Sequence, residues 1–462
     1  MLSRPLFATA SGARLATVPS LGAAATATAV ASAASAQLGW AATPPKVRGA
    51  VLRRWHDLLL LHSEDLARIL TAEQGKPLSE ARGEIHYSAD YLLWFSEESS
   101  RAIGDSLPSV APGHRGFTIK QPVGVCGAIT PWNFPTAMLA RKCAAALAAG
   151  CAMVAKPSEL TPFSALAFAE LGRRAGLPAG CLSVITGEAA EIGAALTSSP
   201  TVRKISFTGS TRVGKLLQAA CAQSMKRTSM ELGGNAPFLI FQDADVQAAA
   251  AGAMASKFRN AGQTCISSNR FYVHTDVYDA FAAALAAAMD QLVVGPGDAP
   301  GVTLGPLINA QAVAKSARHV ADCLSRGARL LRGGGSAGNH PLGPNFYAPT
   351  LLVDVHPDSV LCRKETFGPV AALVRVSGED EMLALANDSP FGLAAYVYTR
   401  DAQRLWRVAE RLQAGMIGMN SGVASGAVAA PFGGVKESGH GREGSRQGMD
   451  EYLETKYLSM AV

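Results

Sequence analysis

The chain has 462 residues, of which 48% are hydrophobic and 17% are charged, and its formal net charge is +6. This length and composition indicate a large folded protein of two or three domains and exclude a mainly disordered chain. Lysine and arginine are scattered, which argues against nucleic-acid binding, and the longest weakly apolar run, residues 23–42, is too polar for a membrane helix.

The first 37 residues are compatible with two interpretations. They contain arginine, serine and threonine but no acidic residue, as a mitochondrial transit peptide does. Residues 13–19 also read as a short strand that leads into a helix. The eight cysteines have neither the spacing nor the histidine neighbours of a zinc site. This pattern fits reduced thiols, so we expect an intracellular location, in the cytoplasm or the mitochondrial matrix.

Helices are predicted for residues 44–104, where apolar residues recur three and four positions apart. From residue 123 onwards, short apolar runs alternate with helical stretches. This alternation predicts a parallel sheet, which binds nucleotides at the carboxyl ends of its strands. A second α/β region follows from residue 241, and the tail, residues 452–462, ends in a predicted strand without an obvious partner.

Three polar segments carry candidate chemistry. Cys265 lies among Gly, Asn, Gln and Thr in residues 258–270, which favours a nucleophilic thiol, although a buried bystander is the alternative. Glu231 ends a predicted strand before a Gly–Gly turn, where a carboxylate projecting into a cleft can act as a general base; a solvated strand end is the alternative. Asn133 lies between two prolines that stiffen its turn, which suits a donor to an oxyanion, or else a plain aromatic turn.

These segments resemble the aldehyde dehydrogenase family, together with others in the same order. The other segments are residues 156–159 (KPSE), 207–210 (FTGS), 365–369 (ETFGP) and 431–436 (PFGGVK). The resemblance covers nearly the whole chain from about residue 13. Its succinate-semialdehyde dehydrogenase branch is matched by residues 255–260 (ASKFRN), 439–445 (GHGREGS) and 450–454 (DEYLE).

The resemblance implies an NAD(P)-dependent oxidation of an aldehyde. Cys265 would attack the carbonyl as a thiolate, the Asn133 amide and the Cys265 backbone N–H would hold the oxyanion, and Glu231 would activate the water that hydrolyses the thioester. The implied cofactor contacts are Trp132, Lys156, Ser158, Glu159, Gly209, Ser210, Gly214, Leu232, Glu365 and Phe367. The Glu159 carboxylate should repel a 2′-phosphate, so NAD is expected, with NADP as the alternative. No metal is expected.

The resemblance also implies the substrate. Arg141, Arg259 and Ser425 match residues that bind the distal carboxylate of a short ω-oxo acid such as succinate semialdehyde. Glutarate semialdehyde or a neutral aliphatic aldehyde is the alternative, with the arginines serving structure. Arg141 precedes Lys142 and could instead be solvated or pack between domains. Residues 420–431 are one residue longer than in the branch, which leaves the register of Ser425 open.

The implied fold is α/β. A Rossmann-type NAD(P)-binding domain would comprise residues 1–111 and 127–240, an α/β catalytic domain residues 241–440, and a small β oligomerisation element residues 112–126 and 441–462. Because an unpaired tail strand is a liability unless another subunit covers it, we expect a homodimer or a homotetramer. The expected partner is a small-molecule aldehyde, and neither nucleic acid nor a membrane is expected.

Overall fold

The computed structural model describes residues 3–109, 111–335, 338 and 340–462. Its strands are β1 Ser3–Phe7, β2 Arg14–Pro19, β3 Ser106–Leu107, β4 His114–Pro122, β5 Val125–Ile129, β6 Ala152–Lys156, β7 Leu182–Val184, β8 Val202–Thr208, β9 Arg227–Glu231, β10 Ala236–Ile240, β11 Ser268–His274, β12 Arg329–Arg332, β13 Thr350–Val353, β14 Val370–Val376, β15 Phe391–Gly392, β16 Ala394–Tyr398, β17 Met416–Met419, β18 Val435–Lys436, β19 Gly439–His440 and β20 Leu453–Ala461.

The α-helices alternate with these strands. They are α1 Ala23–Ala42, α2 Pro45–Leu61, α3 Ser63–Gln74, α4 Leu78–Glu98, α5 Pro135–Ala149, α6 Pro162–Arg174, α7 Ala189–Ser198, α8 Thr211–Ala222, α9 Val246–Lys257, α10 Tyr278–Met289, α11 Ala310–Ser325, α12 Val360–Arg363, α13 Glu379–Asn387, α14 Ala402–Arg411 and α15 Ser445–Asp450. Short 3₁₀ helices cover Ser99–Arg101, Arg259–Gly262 and Thr275–Val277. Within the described ranges, no helix has both the length and the apolar character needed to span a membrane.

The N-terminal segment is part of the fold. β1 and β2 form an antiparallel hairpin, and α1 follows and packs against α7 and β6. Val30, Ala33 and Trp40 of α1 are buried, and the Trp40 indole donates a hydrogen bond of 2.9 Å to the carbonyl of Leu147. The interpretation of residues 13–19 as a strand that leads into a helix is therefore confirmed.

A six-stranded sheet has the order β19-β9-β8-β5-β6-β7, and all its strands except β19 are parallel. Its parallel strands end beside one another: Thr208 pairs with Glu231, Phe207 with Ile129, and Ile129 with Lys156. α5 packs against the sheet and α4, and every residue of this alanine-rich helix is buried. The turns after these strands therefore share one edge of the sheet, as the strand–helix alternation predicts.

A seven-stranded sheet has the order β12-β13-β14-β11-β10-β16-β17, and all its strands except β12 are parallel. Its core contains stacked aromatic rings, with the Phe238 and Tyr396 centroids 5.6 Å apart. β10 belongs to this sheet rather than to the six-stranded one. The boundary predicted at residue 240 is therefore too late, because the chain passes between the sheets in the Leu232–Asn235 turn.

A three-stranded sheet has the order β20-β4-β3. β20 pairs antiparallel with β4 along nine residues, so the prediction that the tail strand lacks a partner in its own chain is wrong. The resemblance groups residues 112–126 and 441–462 in one element, whereas inspection of the tail alone showed no partner, because more than 300 positions separate the two strands. Within residues 112–126, only β4 joins this sheet, whereas Val125 and Cys126 belong to β5 of the six-stranded sheet.

Candidate active site

A cavity of about 530 Å³ opens at the edge where β5, β8 and β9 end. Its lining includes the turns that follow these strands and the turn before β11, which contains Cys265. Eleven predicted site residues line it: Trp132, Asn133, Arg141, Gly209, Ser210, Leu232, Arg259, Cys265, Glu365, Phe367 and Ser425. Five do not: Lys156, Ser158, Glu159, Gly214 and Glu231. The fold thus brings together segments that are far apart in sequence.

The thiol of Cys265 faces a strongly desolvating environment. Burial raises its pKa to about 12, and Glu365 acts in the same direction, while Arg141 and Arg259 act against it. By itself this environment keeps the thiol protonated at neutral pH. A positive charge placed beside the sulfur would favour the thiolate.

Asn133 is held rigidly at the cavity wall. Its backbone carbonyl accepts hydrogen bonds from Lys76 Nζ (2.8 Å) and Asn260 Nδ2 (3.0 Å), and its own Nδ2 donates to the Gln263 carbonyl (2.9 Å). Because an amide nitrogen carries two hydrogens, one remains for a ligand. The Cys265 backbone N–H also has no acceptor within the described part of the chain. Two donors of an oxyanion site are therefore available.

Glu231 occupies the predicted strand end, but its carboxylate does not line the cavity. The side chain is only 2% exposed, and neither oxygen has a hydrogen-bond partner among the described residues. Burial and the nearby Glu443 raise its pKa well above the usual range, although Arg141 and Lys142 oppose this shift. The expectation that it projects into the cleft is therefore wrong for this conformation, because strand-end position does not fix the direction of a side chain.

Arg141 and Lys142 on α5 share a buried counter-ion. The Glu443 carboxylate accepts a hydrogen bond of 2.5 Å from Arg141 Nε, and its other oxygen pairs with Lys142 Nζ. Arg141 is only 1% exposed, so the solvated alternative is excluded. Arg141 also lines the cavity, and its Nη1 has no partner in the described residues. Glu443 and Lys142 were given no role from the sequence, although two adjacent cations in an apolar helix do call for a carboxylate.

The other two predicted substrate residues lie at the same cavity. The Arg259 guanidinium lies 5.3 Å from the ring centre of Phe134 and has no ion pair among the residues described. Ser425 lines the cavity as well, and its carbonyl accepts a hydrogen bond of 3.3 Å from the Tyr87 hydroxyl. Tyr87 also lines the cavity, but the helical pattern of α4 alone did not identify it.

The N-terminus of α8 fits a phosphate-binding turn. Gly209 and Ser210 precede the helix, and the Ser210 hydroxyl caps it by accepting from the Val213 N–H. Packing explains the glycines: a β-carbon on Gly214 would lie 2.4 Å from Leu232, and one on Gly209 2.4 Å from the Phe207 ring. A close-packed helix N-terminus with exposed N–H groups suits a pyrophosphate.

The turn after β6 has side chains that suit a sugar of a dinucleotide. Lys156, at the end of β6, forms an ion pair of 2.5 Å with Glu159. Burial raises the Glu159 pKa, but the hydrogen bond and the charge of Lys156, a backbone hydrogen bond and the charge of Arg4 together lower it more, so the carboxylate stays ionised. Ser158 accepts a bond from the Leu160 N–H in the same turn. These three residues lie beside the neighbouring strand end rather than in the cavity lining.

Glu365 and Phe367 also line the cavity. Glu365 Oε1 accepts a bond of 3.0 Å from the Gly234 N–H, and burial raises the Glu365 pKa to about 7. Phe367 has a left-handed backbone (φ 55°), which is strained for an aromatic residue, and its ring packs edge-on against Trp132 at 5.5 Å. Lys315 also lines the cavity and was not identified from the sequence.

Comparison with known proteins identifies the family and the relatives that this chain resembles. The family model for the aldehyde dehydrogenase family matches residues 4–458. A glutarate-semialdehyde dehydrogenase of Pseudomonas aeruginosa is 53% identical over 98% of this chain and 92% of its own length. GabD of Escherichia coli, a succinate-semialdehyde dehydrogenase named for NADP(+), is 52% identical over 98% and 93%. The crystal structure of succinate-semialdehyde dehydrogenase from Burkholderia pseudomallei is 55% identical, with a TM-score of 0.98 over 100% of this chain and 95% of that one.

Proposed function

Because the chain belongs to the aldehyde dehydrogenase family, we propose that it oxidises a short aldehyde with a distal carboxylate, with succinate semialdehyde as the main substrate. The supporting observation is that Arg141 and Arg259 line the same cavity as Cys265. Arg141 keeps one unpartnered donor, and Arg259 has no ion pair in the described residues. Glutarate semialdehyde, which is one methylene longer, is the second candidate, because a relative of similar identity is named for it.

We propose the following roles for the chain's own groups. After Cys265 has lost its thiol proton to solvent, the thiolate Sγ bonds to the aldehyde carbon, and the carbonyl oxygen, which takes up the negative charge, accepts hydrogen bonds from Asn133 Nδ2 and the Cys265 N–H. The bound nicotinamide supplies the hydride acceptor, and a thioester on Cys265 remains. Glu231 then takes a proton from the water that attacks this thioester, and the sulfur leaves. Its raised pKa suits a base, and neither carboxylate oxygen is engaged in a hydrogen bond among the described residues.

The nicotinamide cofactor has a complete set of candidate contacts. We assign its phosphates to Gly209, Ser210 and the N-terminus of α8, a turn in which Gly214 packs closely on Leu232. We assign its nicotinamide end to Trp132, Glu365 and Phe367. We assign its adenosine ribose to Lys156, Ser158 and Glu159, and we propose NAD as the preferred cofactor because the ionised Glu159 repels a 2′-phosphate.

Initial rates with both cofactors test the substrate class. Succinate semialdehyde, glutarate semialdehyde and neutral butanal are compared in the wild type and in Arg259→Ala. We expect the variant to raise KM for the two anionic aldehydes roughly 10- to 100-fold, the effect of losing one charged hydrogen bond, and to spare butanal. An equal loss for all three aldehydes would contradict carboxylate binding by Arg259. A Cys265→Ser variant that reduces the cofactor at the wild-type rate would refute the covalent mechanism.

We also propose that the enzyme assembles as a homodimer or homotetramer through the three-stranded sheet, and that it works in the cytoplasm or the mitochondrial matrix. All eight cysteines are free, and seven of them are buried, which fits a reducing compartment. The rat and Arabidopsis relatives, each 51% identical, are named as mitochondrial proteins.

A further inference from the structure

An ion pair to which the sequence assigned no role is fully buried against the Asn133 turn, and its Glu84 also borders the cavity. Lys76, between α3 and α4, contacts Glu84 of α4 at 2.6 Å, and both side chains have no exposed surface. Lys76 Nζ also donates a hydrogen bond of 2.8 Å to the Asn133 carbonyl and lies 3.9 Å from the ring centre of Phe134. Burying two charges is unfavourable unless their geometry and remaining hydrogen bonds are good. The position of this pair therefore calls for an explanation beyond stability.

Glu84 holds the other side of the same turn. Its Oε1 accepts hydrogen bonds from the backbone N–H groups of Thr136 (2.9 Å) and Ala137 (3.2 Å) in the first turn of α5. Its Oε2 is the atom that binds Lys76. The ion pair thus forms hydrogen bonds to the backbone on both sides of Phe134 and Pro135. Because Lys76 Nζ donates to both Glu84 and the Asn133 carbonyl, and both oxygens of Glu84 accept hydrogen bonds, the turn has little freedom to shift.

The nucleophile's segment is tied to the same point. Asn260 Nδ2 donates to the Asn133 carbonyl (3.0 Å), beside the bond from Lys76. Asn260 has a left-handed backbone (φ 50°), held by Glu80 Oε2, which accepts from its N–H (2.8 Å), and by Gln74 Nε2, which donates to its Oδ1 (3.0 Å). One carbonyl oxygen therefore fixes the oxyanion turn relative to the segment that carries Cys265.

We propose that Lys76, held by Glu84, is a positioning residue for the oxidation of the aldehyde, acting through the backbone of Asn133 to keep its amide aimed at the oxyanion. This inference rests on the proposed function, in which Asn133 is the oxyanion donor, and it holds for any aldehyde substrate. Oxyanion stabilisation depends on donors fixed before the reaction, so a small displacement of this turn lowers kcat rather than substrate affinity.

A double-mutant cycle tests the proposal in the full-length enzyme with succinate semialdehyde and NAD. Lys76→Met, Asn133→Ala and the double variant are compared. We expect Lys76→Met to lower kcat roughly 10- to 100-fold, in line with the loss caused by a misplacement of about 1 Å, with KM for aldehyde and cofactor nearly unchanged. In the Asn133→Ala background, Lys76→Met should lower kcat little further, because the group through which it acts is gone.

Two controls separate positioning from general damage. Alkylation of Cys265 by iodoacetamide needs no oxyanion donor, so Lys76→Met should leave its rate unchanged. Lys226 is a matched lysine, because its Nζ also donates to two backbone carbonyls, those of Ser199 and Val202, and Lys226→Met should keep the wild-type kcat. If the unpaired Glu84 makes Lys76→Met fold poorly, a second variant is used. Lys76→Met combined with Glu84→Gln, which removes both charges, then takes the place of the single Lys76→Met variant in the cycle.

The outcomes distinguish this inference from the proposed function. An Asn133→Ala variant with undiminished kcat would refute the oxyanion role and this inference with it. A large loss in Asn133→Ala beside a normal kcat in Lys76→Met would refute the inference alone. Losses that multiply in the double variant, or equal slowing of alkylation and turnover, would likewise show that Lys76 does not act through Asn133.

Discussion

Each of three reactive groups at the site has a pKa above its ordinary value, and burial is the largest cause in each case. The pKa of Cys265 is raised to about 12, that of Glu365 to about 7, and that of Glu231 well above the usual range. For Glu231 this shift makes the carboxylate a stronger base. For Cys265 it opposes reaction, because the thiolate is the nucleophile. The thiol therefore depends on positive charge brought close to it.

The alkylation rate of Cys265 should report this dependence. Below its pKa the thiolate fraction of a cysteine rises about tenfold per pH unit, so iodoacetamide should modify Cys265 slowly at pH 7 and roughly 100-fold faster at pH 9. Saturating NAD should speed the reaction at pH 7, since the nicotinamide ring is positively charged and favours the thiolate. Peptide mass spectrometry measures the rate, and the seven buried cysteines serve as internal controls. A rate that stays constant between pH 7 and pH 9 would show that the thiol is already ionised.

At the scale of helices and strands, the elements were predictable from patterns of neighbouring residues, whereas contacts between residues far apart in the chain were not. Alternating apolar runs and helices predicted the parallel sheet, and the polar neighbours of Cys265 and Asn133 marked turns at its edge. The direction of the Glu231 side chain was not predictable, because the position of a residue at the end of a strand does not fix where its side chain points. The ion pair between Arg141 and Glu443 was not predictable either, because Glu443 lies about 300 positions further along the chain.

The start of α8 offers a test of the cofactor assignment. A β-carbon on Gly214 would lie 2.4 Å from Leu232 Cδ2, and Leu232 lines the cavity. Gly214→Ala should therefore push Leu232 and raise the KM for NAD roughly 5- to 30-fold, the effect of about 1–2 kcal/mol of overpacking. The alkylation rate of Cys265 without cofactor should stay unchanged.

Gly193 in the interior of α7 is the matched control. A β-carbon there would have no neighbour closer than 3.8 Å, so Gly193→Ala should leave the KM for NAD unaltered. Both substitutions gain helix propensity of about 1 kcal/mol, so a difference between them isolates the clash with Leu232. Equal cofactor KM values in the two variants would contradict the assignment of the α8 turn to the cofactor.

At the scale of the whole molecule, the three-stranded sheet has exposed apolar side chains on both of its faces. Tyr457, Leu458 and Met460 of β20 are 53%, 41% and 48% exposed. Because successive side chains of a strand point to opposite faces, Tyr457 lies on one face and the other two on the other face. β20 also has one unpaired edge, since its only partner in the described sheet is β4. An edge and two apolar faces of this kind are typical of a subunit interface.

The mass in solution should therefore be two or four times that of one chain, as measured by size-exclusion chromatography with light scattering. Leu458→Lys combined with Met460→Lys places two charges on one face of β20, where burial against another subunit would be strongly unfavourable, so the mass should fall towards that of a single chain. Leu38→Lys combined with Leu61→Lys is the control, because these leucines are even more exposed but lie on α1 and α2, outside the three-stranded sheet. A wild-type protein that is monomeric at micromolar concentration, or a loss of assembly only in the control, would place the interface elsewhere. If the mass falls as expected, the apolar surface of β20 is explained by assembly rather than by the fold of one chain.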